Sequence, residues 1–399
     1  MKGVKYIGQV FNQSGYAEAA RNYILALHQL GVPVTVEAIR HNDQQPDLGR
    51  DGEVLASLVD RPVEYDRIVL HDTPDTWAHR LRAEPPGIGV VGCTVWETSG
   101  LHPLWTKACN LVDEIWVPSR WNAEVFERSG VRVPIEVMPH CTKAPDAAAV
   151  APLELQGVPD GAFVFYSIFH WHERKNPIGL LAAYFAAFSG VHDVVLVLKT
   201  YFDWALPAGS ADPKERSDAQ RLQDEVAAFK RRMKLAHYPR VVGVTGILGR
   251  GDIQALHRRG DAFVLLQRAE GWGLPHFEAA GMAKPVVTTA YGGQCDFLPA
   301  DAAYLVDYTL RPVWDMDWSF FYDGSQRWAE PDLAHAIEQM RRVYSDRREA
   351  AARGARAREH VARYFTREVV GRRMVARLEA LRPSPASVSS RDVRESARS

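Results

Sequence analysis

Short apolar runs alternate with stretches of helical periodicity along the first third of the chain. Residues 4–10 form an apolar run that predicts a strand, residues 12–15 predict a turn, and apolar positions then recur at helical spacing until Gly31. Residues 34–39 predict the next strand. A strand, a helix and a strand in this order require a parallel sheet that helices cover. Further strands are predicted at residues 67–70, 89–95 and 114–117.

The same alternation begins again after an interruption at residues 138–159. The four prolines of this interruption break regular structure and predict a linker. Helical stretches separate the apolar runs that follow, so a second parallel sheet is predicted. Its strands are predicted at residues 163–168, 194–198, 241–244, 262–266 and 285–288.

The last part of the chain departs from this alternation. Residues 308–331 are rich in aromatic and turn residues and fit neither period, so we expect an ordered loop insertion that could act as a lid. Residues 332–381 predict helices, and residues 383–399, rich in Ser and Arg, predict a frayed tail.

These patterns predict an α/β chain of two Rossmann-like domains, each with a doubly wound parallel sheet. The predicted boundaries are 1–140 for the first domain, 141–160 for a linker, 161–364 for the second domain, 365–382 for a C-terminal helix that crosses back to the first domain and 383–399 for a disordered basic tail. Ligands of open parallel sheets bind at the carboxyl ends of the strands. We therefore expect a ligand where these ends of the two domains face each other across a cleft.

The composition excludes several classes of protein. Among 399 residues, 46% are apolar and 24% are charged, which excludes a disordered, collagen-like or coiled-coil chain. No apolar run is long enough to span a membrane, and residues 1–6 lack the apolar region of a signal peptide, so a cytoplasmic protein is expected. The four cysteines are far apart, which favours buried thiols over a disulfide framework or a cysteine zinc site.

Charge is distributed unevenly. Residues 341–399 contain 16 Arg and 7 acidic residues, a net charge of +9, whereas residues 1–340 carry −10. An Arg-rich end can attract phosphate or an anionic membrane, which makes peripheral association with the inner face of the plasma membrane one hypothesis. The alternative is a solvated helix face in which Arg serves as a good helix former. No nucleic-acid partner is expected, and the oligomeric state stays open.

The most informative stretch is residues 270–280, E-G-W-G-L-P-H-F-E-A-A, which follows a predicted strand directly. Gly271 and Gly273 lie in the predicted strand-to-helix loop. Glycines let backbone N–H groups approach a ligand, and a helix N-terminus adds partial positive charge, so this loop suits a diphosphate. Glu270 and Glu278 flank the loop, and a carboxylate can accept hydrogen bonds from the vicinal hydroxyls of a sugar. The alternative is an ordinary glycine loop in which Glu278 is a favourable first-turn charge.

Two Glu separated by seven residues in E-G-W-G-L-P-x-F-E-A resemble the signature of the family-4 retaining glycosyltransferases, which are glycosyl transferases of group 1. These enzymes have the two-domain GT-B architecture. The order and spacing of further segments resemble the family from about residue 3 to residue 370. These segments are residues 13–16 with 20–22, 96–98, 116–122 and 173–177.

The resemblance implies roles for individual residues. Glu278 matches the family Glu that holds the donor's ribose hydroxyls, and Glu270 matches the Glu that contacts the transferred sugar near its C3 and C4 hydroxyls. Lys175 matches the lysine that faces the donor phosphates. Gly15 matches the glycine that lets the first domain approach the diphosphate and the acceptor. The other residues expected to bind the donor are Gly271, Trp272, Gly273 and Leu274, and those expected to bind the acceptor are Ser14, Tyr16 and Trp96.

The chain departs from the family pattern at two positions. The family pairs its lysine with an arginine six residues earlier, where this chain has Phe169. Unless another cation supplies the second charge, phosphate stabilisation is weaker than is typical. The candidates for the second charge are Arg174, Lys199 and Arg268. Many members also have a histidine near the end of the fourth strand that touches the sugar's C6 hydroxyl, and here Glu97 is the expected substitute.

No metal or cofactor is expected besides the nucleotide-sugar co-substrate. A lysine and helix-end amides can stabilise a leaving nucleoside diphosphate without a metal. Asp315 and Asp317 have the D-x-D spacing of metal-dependent transferases but lie in the aromatic insertion. His170 and His172 have H-x-H spacing without a third ligand nearby in sequence, which favours polar histidines over a zinc site.

The resemblance implies the transfer of a hexose, expected to be mannose or glucose, from a nucleoside-diphosphate sugar to a hydroxyl of a carbohydrate or lipid-linked acceptor. No carboxylate stands out as a nucleophile. In the family's favoured front-face mechanism the leaving phosphate takes the acceptor's proton, so the expected catalytic residues Glu270, Lys175 and Glu97 position the substrate and stabilise charge.

Three alternatives to this function stay open. One is a sugar-nucleotide epimerase or a phosphorylase of the same architecture. Another is a non-catalytic sugar-nucleotide or glycan-binding subunit, which the missing arginine at Phe169 makes conceivable. The last is a dinucleotide oxidoreductase, against which the absence of G-x-G-x-x-G after the first strand argues.

Overall fold

A computed structural model of the chain describes residues 1–39, 48–143, 150–202, 217–246, 248–314, 316 and 319–382. The chain divides into two compact units, of which unit 1 is Met1–Ala144 with Ala362–Ser399 and unit 2 is Pro145–Val361. Up to residue 143 the elements are β1 (Val4–Gln9), α1 (Gly15–Gln29), β2 (Val34–Ile39), α2 (Gly49–Leu58), β3 (Arg67–His71), α3 (Trp77–Leu81), β4 (Gly89–Cys93), α4 (Pro103–Cys109), β5 (Glu114–Val117), α5 (Arg120–Arg128) and β6 (Ile135–Val137). From residue 150 they are β7 (Phe163–His170), α6 (Pro177–Phe188), β8 (Val194–Tyr201), α7 (Asp218–Met233), β9 (Arg240–Val244), α8 (Arg250–Arg259), β10 (Ala262–Leu265), α9 (Leu274–Gly281), β11 (Val286–Thr289), β12 (Tyr304–Val306), β13 (Tyr308–Pro312), β14 (Arg327–Pro331), α10 (Leu333–Ser345), α11 (Arg347–Tyr364) and α12 (Arg367–Ala380).

Unit 1 is built on a parallel sheet whose strand order, within the described residues, is β2-β1-β3-β4-β5-β6. Its strands read as continuous apolar runs because helices cover both faces of such a sheet. The last helix, α12, packs in this unit: Val370, Met374 and Leu378 share one core with Tyr23 and Leu27 of α1. The C-terminal helix therefore completes the hydrophobic core around the first strand-helix pair.

Unit 2 repeats this architecture with the strand order β12-β11-β10-β7-β8-β9, again all parallel in the described residues. Its helix α6 is buried along most of its length, which explains why residues 177–188 are apolar almost throughout. The predicted fold class of two Rossmann-like, doubly wound parallel sheets is confirmed.

The aromatic insertion differs from its prediction. Residues 308–331 contain an antiparallel hairpin, β13 paired with β14, where the sequence predicts a loop. Every side chain of β13 is exposed, so this short strand buries no apolar face that would distinguish it from a loop. The D-x-D pair Asp315 and Asp317 lies outside the described residues.

Two further strands are missing from the predicted set, β6 and β12. Each has three residues and lies at an edge of its sheet, where short strands bury little apolar surface. Among the described residues, the helices are too short or too polar for any of them to cross a lipid bilayer.

Candidate functional site

Three loops meet at the carboxyl end of the sheet in unit 2, one after β7, one after β10 and one after β11. Asn176 Nδ2 donates a hydrogen bond to the Leu266 carbonyl oxygen across 2.9 Å, and the Arg268 amide donates to the carbonyl oxygen of Arg174 across 2.8 Å. The amide of Gly293 donates to the carbonyl oxygen of Glu270, also across 2.9 Å. Backbone hydrogen bonds therefore hold the loop that carries Glu270 on both sides.

Glu270 is buried and surrounded by cations. Its Oε1 accepts a hydrogen bond from Lys175 Nζ, and its Oε2 lies 3.7 Å from Nη1 of Arg174. Burial alone would raise the pKa of the Glu270 carboxyl, but Lys175 and Arg174 outweigh that effect and hold this pKa below its usual value. The structure thus joins two of the predicted catalytic residues, Glu270 and Lys175, which lie 95 positions apart in sequence.

The glycine loop leads into α9 as its sequence predicts. Gly273 precedes the helix with φ +84°, a left-handed conformation, and its added Cβ would lie 2.8 Å from His276 Nδ1. Leu274 is the first residue of the helix, and Gly271 and Gly273 are buried. Because a helix N-terminus presents unpaired N–H groups, the loop offers an anion site.

Two residues of this loop and helix point into different surroundings. Trp272 is 2% exposed and packs against Phe277 and Phe297, so its side chain lies in the core. Glu278, one turn into α9, keeps a third of its side chain exposed, and its Oε2 lies 3.4 Å from Nε2 of His257. Glu278 therefore has a carboxylate that solvent reaches, on the helix that begins at the anion site.

The candidate cations that could replace the family arginine differ in their partners. Phe169 is itself buried. Arg268 binds Glu330 through Nε at 2.8 Å and Nη2 at 3.3 Å, so it anchors the β13–β14 hairpin. Arg174 Nη1 donates to the carbonyl oxygen of Ala269 and also faces Glu270. These two arginines are thus engaged in holding the loops.

Lys199 is the third candidate and lies near the end of β8. Its side chain is only 6% exposed, and Nζ lies 5.5 Å from the ring centroid of Tyr201. It makes no hydrogen bond or ion pair with any residue that the structure describes. Burial lowers the pKa of Lys199 from its ordinary 10.5. The carboxylate of Asp218 offsets part of this effect without forming a salt bridge. A buried cation without a salt-bridge partner is costly and marks a functional-site candidate.

His170 and His172 lie beside this group. His170 stacks on Tyr201 at 4.7 Å between ring centroids, and its Nε2 is 2.9 Å from the Phe202 carbonyl oxygen. Burial lowers the pKa of His172, which therefore stays neutral. Within the described ranges, no group of three or more His, Cys, Asp or Glu side chains is arranged to hold a metal ion.

In unit 1, the loop between β1 and α1 carries the predicted acceptor residues. Ser14 caps α1 by accepting a hydrogen bond from the Ala17 amide, and its hydroxyl contacts Gln9 at 2.8 Å and Asn12 at 2.7 Å. Gly15 opens the helix and is exposed. The loop therefore presents an exposed helix N-terminus at the carboxyl end of β1.

The remaining predicted residues of unit 1 are Tyr16 of α1 and two residues that follow β4, Trp96 and Glu97. The hydroxyl of Tyr16 lies 2.9 Å from that of Thr94, and Glu97 is half-buried close enough to Tyr16 to raise its pKa, although burial is the larger cause. Trp96 is 1% exposed and packs edge-on against Trp105, so its side chain belongs to the core.

A cluster of buried polar rings at the same edge of unit 1 was not predicted from the sequence. Tyr6 Oη lies 2.6 Å from His71 Nδ1, Tyr23 stacks on His71, and Tyr23 also contacts His140. Asp72, which follows His71, is 1% exposed and accepts a hydrogen bond from Gln9. The signal available in the sequence is the pair His71-Asp72 directly after an apolar run, because ligand groups gather at the carboxyl ends of strands.

Arginines of α12 are engaged within unit 1. Arg367 binds Asn22 and Asp51, Arg373 binds Glu136, and Arg377 binds Glu114. Part of the positive charge of the C-terminal region therefore neutralises acidic groups of the same unit.

Comparisons with known proteins agree with this geometry. Residues 217–309 match the family model described as Glycosyl transferases group 1. No curated protein matches the chain in sequence. Several likenesses to solved structures extend over nearly the whole chain at low identity.

Three solved structures illustrate this likeness. HepE from Anabaena, in complex with UDP and glucose, has a TM-score of 0.60 at 16% identity, covering 96% of this chain and 100% of that one. Sucrose-phosphate synthase from Thermosynechococcus elongatus has a TM-score of 0.65 at 15% identity, covering 95% and 99%. The E. coli trehalose-6-phosphate structure bound with UDP-2-fluoro glucose has a TM-score of 0.66 at 11% identity, covering 96% and 100%. The chain has the GT-B fold, and together with the matched family model this supports a glycosyltransferase of the GT-B type.

Proposed function

We propose that this chain is a retaining glycosyltransferase that moves a hexose from a nucleoside-diphosphate sugar to a hydroxyl of a carbohydrate or lipid-linked acceptor. One observation carries the proposal: Glu270 and Lys175 are paired at the carboxyl end of the unit 2 sheet, beside the glycine loop at the N-terminus of α9. A carboxylate can accept hydrogen bonds from sugar hydroxyls, and a cation together with a helix N-terminus can bind a diphosphate.

In unit 2, each group has a role in holding the donor. Lys175 and the amides at the start of α9 bind the diphosphate, because both present positive charge to an anion. Glu270 accepts hydrogen bonds from hydroxyls of the hexose. Glu278, whose carboxylate is partly exposed, accepts hydrogen bonds from the ribose.

Lys199 supplies the second cation that the family places at the position of Phe169. Arg268 is bound to Glu330, and Arg174 to Ala269 and Glu270, whereas Lys199 makes no salt bridge with a described residue and has only the more distant Asp218 as a nearby carboxylate. A diphosphate would neutralise this buried charge, which relieves the cost of leaving it unpaired.

In unit 1, the loop after β1 binds the acceptor. Gly15, Ser14 and Tyr16 lie at the N-terminus of α1, and Glu97 follows β4. These groups offer amides, hydroxyls and a carboxylate to a saccharide. Glu97 replaces the family histidine as a partner for a sugar hydroxyl.

The chemistry we propose is a front-face substitution. The bond between the anomeric carbon and the leaving phosphate oxygen breaks, the acceptor oxygen bonds to the anomeric carbon on the same face, and the acceptor proton passes to the leaving phosphate. Lys175 and Lys199 stabilise the growing charge of the nucleoside diphosphate, so the residues supply positioning and electrostatics and no separate base. The proposal requires no metal ion.

Ligand binding gives the first test. HepE was also solved with UDP-glucose, so uridine donors are tried first, followed by guanosine donors. A ligand that binds only the folded protein raises its melting temperature. At least one nucleoside diphosphate should raise it, Lys175→Met and Lys199→Met should reduce that rise, and the matched control Lys284→Met should leave it unchanged.

Turnover gives the second test. The donor that binds is incubated with methyl hexosides as acceptors, and the anomeric configuration of the product is read by NMR. Retention and activity in EDTA support the proposal; inversion or loss of activity in EDTA contradicts its retaining or metal-independent part. Binding without transfer to any acceptor would favour a non-catalytic sugar-nucleotide-binding subunit, and no binding by any nucleoside diphosphate or sugar nucleotide would overturn the proposal.

A further inference from the structure

His71 ends β3 at the point where the sheet of unit 1 changes direction. The strand order β2-β1-β3-β4 places the crossovers from β1 and from β3 on opposite sides, so β1 and β3 flank the topological switch point. Open parallel sheets bind their ligands in the crevice outside the carboxyl ends of the strands at this point. His71 is the last residue of β3 and pairs with Gly8 near the end of β1.

The imidazole of His71 is held in one orientation by three tyrosines. Tyr23 stacks on it with a centroid distance of 5.7 Å, and Tyr16 lies at 5.6 Å. The hydroxyl of Tyr6 lies 2.6 Å from Nδ1, and no other acceptor for that hydroxyl exists among the described residues. Tyr6 therefore donates to Nδ1, and a neutral ring must carry its proton on Nε2.

The proton on Nε2 has no acceptor among the residues that the structure describes. The residue is only 2% exposed, yet Nε2 is not among the fully buried polar atoms that lack a partner, so this nitrogen reaches the surface of the edge. Burial lowers the pKa of His71 to about 3, with the nearby His140 as a minor cause, so the ring is neutral at physiological pH. An N–H group that has no acceptor in the protein and reaches the surface can donate to water or to a ligand.

Polar groups of the acceptor loop lie close to this ring. Asp72, the next residue, accepts a hydrogen bond from Gln9 Nε2 at 3.1 Å, and Gln9 accepts one from Ser14. Tyr16, whose ring faces His71, also belongs to the residues assigned to the acceptor. The unpartnered N–H group therefore belongs to a ring that lies beside the hydrogen-bonded polar groups of the acceptor loop.

We propose that Nε2–H of His71 donates a hydrogen bond to a hydroxyl oxygen of a saccharide substrate bound at the carboxyl edge of unit 1. This inference rests on the proposed function, because the saccharide is one of its two substrates. A neutral donor suits a hydroxyl oxygen, which carries no charge. Tyr6 is a positioning residue, because its hydroxyl fixes which ring nitrogen carries the proton.

The test combines variants with substrates that lack one hydroxyl. Wild type and His71→Phe are assayed with the active donor, with monodeoxy analogues of its hexose, and with monodeoxy analogues of a methyl hexoside acceptor. Loss of one buried hydrogen bond should lower kcat/KM by about 10- to 100-fold. One particular deoxy analogue, which lacks the hydroxyl that His71 contacts, should reduce the rate of the wild type by a similar factor. The same analogue should hardly change the rate of His71→Phe. Whether that analogue is a donor or an acceptor identifies the substrate.

Two further variants keep the test independent of folding. Tyr6→Phe retains the imidazole but not the hydroxyl that fixes its tautomer, so it should lose part of the same hydroxyl selectivity. His140→Phe alters the same buried cluster and should preserve the selectivity. Nitrogen NMR of wild type should show Nε2 protonated and His71 not titrating between about pH 5 and 8.

The outcomes separate this inference from the proposed function. Suppose that wild type transfers sugar and that each deoxy analogue lowers the rates of His71→Phe and Tyr6→Phe by the same factor as the rate of wild type. The role of His71 is then wrong and the proposed function stands. A proton found on Nδ1 also overturns the assignment. If wild type transfers no sugar, the proposed function fails and the role of His71 fails with it.

Discussion

Asn176 Nδ2 donates a hydrogen bond to the carbonyl oxygen of Leu266 across 2.9 Å, joining two loops that are 90 residues apart in sequence. The same side chain accepts a hydrogen bond from the Gly179 amide and so caps α6, and its backbone has φ +53°. Asparagine suits this position because it tolerates the left-handed region and caps helices well. One residue therefore fixes Lys175, its neighbour, relative to the strand that leads to Glu270.

We expect Asn176→Ala to lower the stability of unit 2 by about 2–3 kcal/mol, because it removes a helix cap and leaves the Leu266 carbonyl without its partner. Differential scanning calorimetry measures the change. Asn176→Gly is the matched control, since glycine adopts the left-handed conformation without strain and isolates the loss of the side chain. An unchanged melting temperature in both variants would contradict this role.

Glu270→Gln should separate nucleotide binding from turnover. The Glu270 carboxylate is ion-paired with Lys175, so removing its charge frees the lysine for phosphate. We expect nucleoside diphosphates to bind at least as tightly, while turnover falls by about 100-fold or more because a critical electrostatic contact to the hexose is lost. Calorimetric titration and a donor-turnover assay measure the two effects.

Glu278→Gln is the comparison for this variant. Its carboxylate is assigned to the ribose, so the substitution should weaken nucleotide binding more than it slows the reaction of bound donor. If Glu270→Gln weakened binding of a nucleoside diphosphate as strongly as Glu278→Gln, the assignment of Glu270 to the hexose would be contradicted.

Much of the fold follows from the sequence because buried parallel strands produce continuous apolar runs. The strands at Val34–Ile39 and Glu114–Val117 coincide with their predicted runs. The glycine loop is also predictable, since the combination of Gly271, Gly273 and a following proline has few structural solutions. These features depend on local pattern alone.

The partners of individual side chains are not predictable in this way. The contact of Lys175 with Glu270 spans 95 residues, and only the folded sheet brings the two loops together. Whether Trp272 faces a ligand or the core depends on Phe297, which lies on another loop. Arg268 and Lys199 are equal candidates in sequence, and what distinguishes them is that Arg268 contacts Glu330 and Glu173 whereas Lys199 makes no salt bridge with a described residue. Long-range contacts of this kind leave no local periodicity.

Gly292 should be intolerant of substitution because its backbone touches the site. Its φ is +110°, and an added Cβ would lie 2.4 Å from the carbonyl oxygen of Glu270. Gly292→Ala should therefore displace the backbone of Glu270, lower the melting temperature and reduce turnover. Gly190→Ala is the matched control, because Gly190 has φ +81° but nothing within 4 Å of the added Cβ. The control should show only the backbone strain of about 1–2 kcal/mol. Equal effects of the two substitutions on turnover would argue against a steric role for Gly292.

Lys199 should make nucleotide binding depend on pH. Burial lowers the pKa of Lys199 below its ordinary 10.5, so the free protein loses this charge at a lower pH than an exposed lysine would. A bound diphosphate favours the protonated amine and raises its pKa. Binding is then strongest at pH values below the pKa of the free protein, and affinity falls as pH rises through that value, by up to about tenfold per pH unit.

Two substitutions isolate this effect from ionisation of the nucleotide itself. Lys199→Arg keeps a charge that does not titrate in this range, so its affinity relative to wild type should increase as pH rises. Lys199→Met should bind weakly at every pH, and its deficit relative to wild type should shrink as wild type loses its own charge. Calorimetric titration of the nucleoside diphosphate at successive pH values measures both ratios, with the free nucleoside as the control ligand. Because the nucleoside has no phosphate, its affinity should be the same in all three proteins. If wild type and Lys199→Met bound the diphosphate with the same ratio of affinities at every pH, the amine of Lys199 would not contact the diphosphate.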